Sequence, residues 1–279
     1  MLTVLRIELF KIFKRPRTFI SFIAIAAIVL LIQFAFYADG KAYVSFMLQS
    51  VDSSFTVEGN ILNGYLICFI VLQTLLIHVP LLIALVAADM VAGEANMGTL
   101  RLIASRPVSR TTLIISKFLA STIYTMMLLV WMAFLALFLS MLVFGTGDLM
   151  IFKSTEIIIH PMNDIFWRYF AAFGFAAIAM TTVAALALLL SVFADNSIGP
   201  IVSTMSVIIF FTIFSSLELP MFDPIRPYIF TSHMLGWKGF FDNPIQYNSI
   251  FKSAMVLIVH IFIFLGVAIA VFRKKDILS

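Results

Sequence analysis

Apolar residues along this chain gather into six long runs instead of strand-like alternation or narrow helical stripes. The runs are Thr18–Ala38, Ile61–Val91, Thr112–Phe144, Phe166–Phe193, Ile198–Leu219 and Ile250–Phe272. A bilayer core of about 30 Å needs about 20 apolar residues in a helix, so each run predicts a transmembrane helix. The second and third exceed that length, which predicts tilt or helix continuing beyond the membrane. Pro80 inside the second run predicts a kink. The expected fold is therefore an all-α polytopic membrane protein with six transmembrane helices. Its connecting segments are too short for an independent domain, so residues 1–279 form one.

The segments between the runs have patterns of their own. In residues 1–17, Leu2, Leu5, Leu9 and Phe13 recur at three- and four-residue steps and share a helical face, away from Glu8, Lys11, Lys14 and Arg15. That predicts an amphipathic helix in the membrane interface, ended at Arg15-Pro16; the alternative is a basic, partly ordered tail. Residues 38–60 and 145–165 read as short polar loops. The loop 220–249, with Pro220, Pro224, Pro227, Pro244 and many aromatics, predicts short amphipathic pieces at the outer interface and no separate soluble domain.

Composition agrees with this picture. The chain is 62% hydrophobic and 11% charged, with a mean hydropathy of +1.10. Soluble domains run at about half apolar and about a quarter charged. The net charge of +4 is a topology signal. Twelve of the eighteen basic residues fall on one side, as Arg6, Lys11, Lys14, Arg15 and Arg17, then Arg101, Arg106, Arg110 and Lys117, then Arg273, Lys274 and Lys275. The positive-inside rule assigns that side, and both termini, to the cytoplasm. No basic cluster is interleaved with aromatics in a polar segment, which argues against nucleic acid as a partner. The first run is too long for the core of an ordinary signal peptide and reads as an uncleaved span.

Candidate chemistry is sparse. Cys68 stands alone, which excludes an intrachain disulfide and a multi-cysteine metal site. His78, His160, His233 and His260 have no metal-ligand spacing, so no metal site is expected. His78 and His260 lie in apolar runs, where a histidine is either functional or hydrogen-bonded between helices. Asp89 and Glu218 fall at span ends, within reach of water or headgroups. Met126, Met127, Met132 and Met141 read as packing residues. No converging catalytic set is present, so the chain is expected to be no enzyme.

The segment Gly93–Arg110, GEANMGTLRLIASRPVSR, begins like a phosphate-binding loop. Such a loop needs Lys and then Ser or Thr after its second glycine, to neutralise phosphate and hold magnesium. Thr99 and Leu100 stand there instead, and no βαβ pattern surrounds them. The segment predicts a short amphipathic helix over 93–106, with Met97, Leu100 and Ile103/Ala104 on one face and Glu94, Arg101 and Ser105 elsewhere. Arg106-Pro107 should end it, and Ser109 or Thr111 should cap the third span. A helix held between two spans suits docking to a cytosolic partner; alternatively it lies against its own protein.

The run AADMVAGEANMGTLRLIASRPVSRTTLIISKFLA resembles the signature region of ABC type-2 transporter permeases. Asp89, Gly93, Glu94, Gly98, Thr99, Leu100, Arg101, Ser105, Arg106, Pro107, Ser109, Arg110 and Lys117 carry the resemblance. It implies a non-catalytic permease subunit of an ABCG-like exporter in the cell membrane, paired with a second permease as a homodimer or heterodimer. Two cytosolic ATPase subunits would bind ATP and Mg, and this chain would bind no cofactor. The segment 93–106 would be the coupling helix. Glu94, Met97, Gly98, Thr99, Leu100, Arg101 and Arg106 are its candidate residues, with Met97 and Leu100 filling a groove of the ATPase. Glu94 and Arg101 would contact the ATPase or hold the helix in place. The second and fifth spans would line the path, and the loop 220–249 would form short re-entrant helices that cap it. Two other functions stay open, namely mechanical work of an ABC complex on an outer partner, and secondary transport. The latter calls for charged or broken helices at mid-membrane.

Overall fold

The computed structural model describes residues 1–48, 61–99, 108–153, 156–217 and 220–275. Helix α1 (Leu2–Lys14) stops where Arg15 turns extended ahead of Pro16, which disfavours a helical predecessor. Helix α2 (Pro16–Leu48) follows at once. Helix α3 (Gly64–Ala87) starts under Asn63, whose side-chain oxygen accepts from the Tyr65 and Leu66 N–H groups at 3.1 and 3.0 Å. Helix α4 (Asp89–Asn96) comes next, and α5 (Arg110–Ala133) runs through a π-helical stretch, Phe134–Leu139, into α6 (Ser140–Phe144). An antiparallel hairpin of β1 (Leu149–Phe152) and β2 (Ile157–His160) leads to α7 (Met162–Phe193) and α8 (Ile198–Ser216). Short turns, α9 (Phe230–His233) and a 3-10 stretch, Gly236–Phe241, precede the final helix α10 (Tyr247–Lys274).

Five of these helical stretches are long and apolar enough to cross a membrane. They are Pro16–Phe46, Arg110–Phe144, Met162–Phe193, Ile198–Ser216 and Tyr247–Lys274. A sixth arises if α3 counts as one bent span, since its halves Gly64–Thr74 and His78–Ala87 meet at 54°. The chain is thus a helical, multi-pass membrane protein. The bend lies one turn before Pro80, where its ring displaces the carbonyl four residues earlier. The loop 145–165, expected to be merely polar, holds the hairpin instead. Its alternating residues bury Leu149, Ile151, Ile158 and His160.

Helix α7 is the axis of the bundle. In its most apolar stretch 78% of the residues are buried, against 17% in each of α8 and α10 and 22% in α2. Ala172, Ala176, Ala179, Ala184 and Ala187 keep its faces small, so α3, α5 and α10 approach closely. Some polar groups inside are matched across helices. Within the π stretch of α5–α6 the Leu135 carbonyl accepts from the Gln33 amide of α2 at 2.9 Å, and the same amide donates to Ser140 Oγ at 2.8 Å. One end of the bundle gathers α1, α4, the start of α5 and the end of α10. The other carries the hairpin and the turns before α10.

Candidate functional site

The site grows from the break between α3 and α4. Ala88 ends α3 in a helical conformation and α4 begins immediately, so the break leaves backbone groups to be satisfied. Ser191 of α7 fits into it. Its hydroxyl donates to the Ala88 carbonyl at 2.5 Å and accepts from the Val91 and Ala92 N–H groups at 3.2 and 2.9 Å. This one side chain binds the start of α4 to the central helix.

Asp89, at the first turn of α4, is 6% exposed. Its carboxylate accepts from Arg15, from Arg17 at 3.0 Å and from the Ser197 hydroxyl. Sequence reading left Asp89 open to water; instead α1, α2 and the α7–α8 turn close around it. One helical turn on, Gly93 has no side chain because a Cβ there would run into the Asp89 carboxylate. The Asp-x-x-x-Gly spacing therefore makes room for a buried acid clamped by two arginines.

The next residue belongs to a second cluster. Glu94 is 3% exposed and lies 2.7 Å from both Lys11 and Lys117. Glu8 of α1, 2% exposed, lies 2.7 Å from Lys11 and 2.8 Å from Lys117, and the Lys117 ammonium is wholly buried. Two carboxylates and two ammoniums thus alternate in a closed square that joins α1, α4 and α5. Burial by itself would push the Glu94 carboxyl up, but the Lys117 charge and the Lys11 hydrogen bond hold it below the ordinary value. Burial likewise pulls Lys11 down, and its bonds to Glu8 and Glu94 outweigh that and raise it. Such a square is neutral, and removing one member leaves a charge without its partner in a dry place.

Beyond Glu94 the chain turns outward. Helix α4 stops at Asn96, and Gly98 takes a left-handed conformation (φ 68°), which favours glycine and terminates the helix. Of the helix expected over 93–106, the described part is the end of α4, which starts earlier, at Asp89, and the turn at Gly98; residues 100–106 lie outside the described residues. Met97 is 57% exposed at the turn, and the Thr99 hydroxyl donates back to the Glu94 carbonyl at 3.3 Å. Leu100, Arg101 and Arg106 lie outside the described residues. On the far side of the segment, Ser109 caps α5 by accepting from Thr112 N–H at 3.1 Å. Arg110 donates to the Phe272, Arg273 and Lys275 carbonyls and so closes the end of α10. Lys275 in turn donates to the Val192 carbonyl of α7 at 3.0 Å.

The remaining candidates are spread apart. His78 and His260 bond to carbonyls one turn earlier in their own helices, at Thr74 and Val256. His160 reaches the Phe241 carbonyl, and His233 lies between Ser253 and the Pro227 carbonyl. Among the described residues no cluster of His, Cys, Asp or Glu has the makings of a metal site, and Cys68 is buried. Glu218 lies outside the described residues.

Sequence reasoning found Glu94 and Lys117 but missed Glu8, Lys11, Arg15, Arg17, Ser191 and Ser197 as their surroundings. Two signals were present. Lys117 stands in an apolar stretch two turns into a span, where an uncompensated ammonium is costly. Glu8 and Lys11, of opposite sign three residues apart, offer such compensation.

These features define a multi-pass membrane protein whose helices are braced at one end by a buried charge square. The chain belongs to the family described as Protein of unknown function (DUF2705), which matches it over residues 20–278. It is also similar to the protein named Uncharacterized protein YhcI of Bacillus subtilis (strain 168), at 25% identity over 200 residues. That similarity covers 69% of this chain and 63% of the relative, so the chain spans less than two thirds of the relative's length.

Proposed function

We propose that this chain is the permease subunit of an ATP-binding-cassette exporter in the cell membrane. The path would run through it and a second permease, and separate cytosolic ATPase subunits would hydrolyse ATP. The observation that carries the reading is the segment from Asp89 to Lys117. Its sequence resembles the type-2 permease signature, and its two flanks are tied to every helix at that end of the bundle. Asp89 and Glu94 connect it to α1 and α2, Ser191 to α7, and Arg110 to α10. A push on the exposed turn at Met97 would be passed into the spans as a unit, because its base is held by charge pairs and backbone bonds. The positive-inside rule puts this end, with both termini, in the cytoplasm, where an ATPase would sit. The sparsely buried α2, α8 and α10 leave apolar surface for lipid and for the second permease.

In this reading Glu94 braces the coupling segment and Met97 faces the ATPase. The two roles separate by mutation. Met97→Asp should abolish co-purification of the ATPase while leaving thermal unfolding of the permease unchanged, since Met97 is exposed. Undiminished ATPase recovery and undiminished nucleotide-dependent transport by that variant would sink the proposal.

A further inference from the structure

Helix α1 is turned the opposite way to the sequence expectation. Its charged pair Glu8 and Lys11 points inward to the square, and Leu5, Leu9 and Phe13 are half-buried beside it. The ridge left outside is Leu2, Arg6, Phe10 and Lys14, at steps of four, with Ile7 alongside. Leu2 is 75%, Phe10 61% and Ile7 47% exposed, and the Lys14 ammonium lies over the Phe10 ring at 5.0 Å. Arg6 and Lys14 have no carboxylate within ion-pair distance among the described residues. A helix that buries a glutamate and exposes a phenylalanine is inside-out for water. It is the right way round for a lipid surface, where apolar side chains insert and long basic ones reach the headgroups.

We infer that the Leu2-Arg6-Phe10-Lys14 ridge of α1 binds anionic phospholipid, with Leu2, Ile7 and Phe10 among the acyl chains and Arg6 and Lys14 on the phosphate headgroups. Two observations select this occupant. The alternation of basic and apolar residues complements an anionic interface better than a zwitterionic one. The surface also runs directly into α2, which starts at Pro16 and exposes Phe19, Ile20 and Ile23 as a membrane span does. The inference stands apart from the transport proposal, because it requires only that α2 crosses the membrane.

The test is thermal unfolding of the purified full-length protein in neutral detergent, with added phosphatidylglycerol or phosphatidylcholine. Phosphatidylglycerol should raise the unfolding temperature by several degrees more than phosphatidylcholine, and Arg6→Gln with Lys14→Gln should remove at least half of that difference. Should this double variant already be unstable in phosphatidylcholine, Arg6→Lys with Lys14→Arg keeps the charges and must keep the difference. Equal stabilisation by both lipids would overturn the inference, as would a double Gln variant retaining the full difference. Pyrophosphate giving the same shift as phosphatidylglycerol would also overturn it, pointing to a free anion site instead.

Discussion

The two ends of the bundle are held together by different physics. At the end carrying both termini, Glu8, Lys11, Glu94 and Lys117 form a buried square, and Asp89 is clamped by Arg15 and Arg17. At the opposite end Trp237 and Phe241 are buried against Phe69 and Tyr169, with ring centroids 5.0–6.0 Å apart. Charges there work mostly at the rim, as where Lys153 bridges Glu156 and Asp242 at 2.9 Å each. Arg168 is the inner exception, pairing with Asp164 at 2.6 Å and donating to the Phe240 carbonyl. Apolar packing loses stability gradually as atoms are removed. A buried charge square is closer to all-or-none, because each member is tolerable only while the others are present. The end that we propose receives force is the one built from interactions that hold or break as a set.

The largest effect that would break this contrast is expected from Lys117→Met. It strands Glu8 and Glu94 with one ammonium between them and should cost about 3–5 kcal/mol of stability. Adding Glu94→Leu restores neutrality around Glu8 and Lys11 and should recover most of that loss. Unfolding in detergent followed by tryptophan fluorescence would read both, and a double variant no better than the single one would refute the square. Trp237→Ala should cost a similar amount, about 3–5 kcal/mol, through the cavity left among the aromatic rings. Unlike Lys117→Met, no opposite charge change should rescue it in the same assay.

A smaller effect is expected from Gly93→Ala. The new methyl must displace the Asp89 carboxylate from its arginines, at about 1–3 kcal/mol. Limited proteolysis near Arg15 should quicken in that variant while cleavage in the hairpin loop stays unchanged. Mild acidification should do least. The Glu94 carboxyl is held below the ordinary value of 4.5, so its stabilisation is fully present above that value and is lost only as pH falls through the lower folded value. Hydrogen exchange of α1 amides should therefore hold constant from pH 7 to about 5 after correction for intrinsic rates. It should rise below the folded value, before exchange around Trp237 does.

How much was legible in advance differs between these ends for the same reason. The long apolar helices were readable because bilayer thickness imposes run length, and the bend in α3 because proline lacks an N–H. Gly93, Glu94 and Lys117 stood out by motif, but their roles did not. A helical wheel for α1 placed Glu8 and Lys11 towards solvent, as local amphipathicity dictates. Their burial depends on Lys117, more than a hundred residues away, which no periodicity within α1 reveals. The hairpin at Leu149–His160 escaped notice because two four-residue strands between spans are too short to show a period.

The sequence by itself determined that this chain lives in a membrane, where its helices lie along the chain, and which segment between α3 and α5 carries a distinctive motif. These follow from local rules, such as apolar length, proline geometry and residue spacing. Only the tertiary structure decided which face of α1 turns inward, why Gly93 must follow Asp89 by four residues, and that Glu94 is a buried brace. Those outcomes rest on charges from separate helices compensating one another out of water, and compensation of that kind exists only once the helices have met.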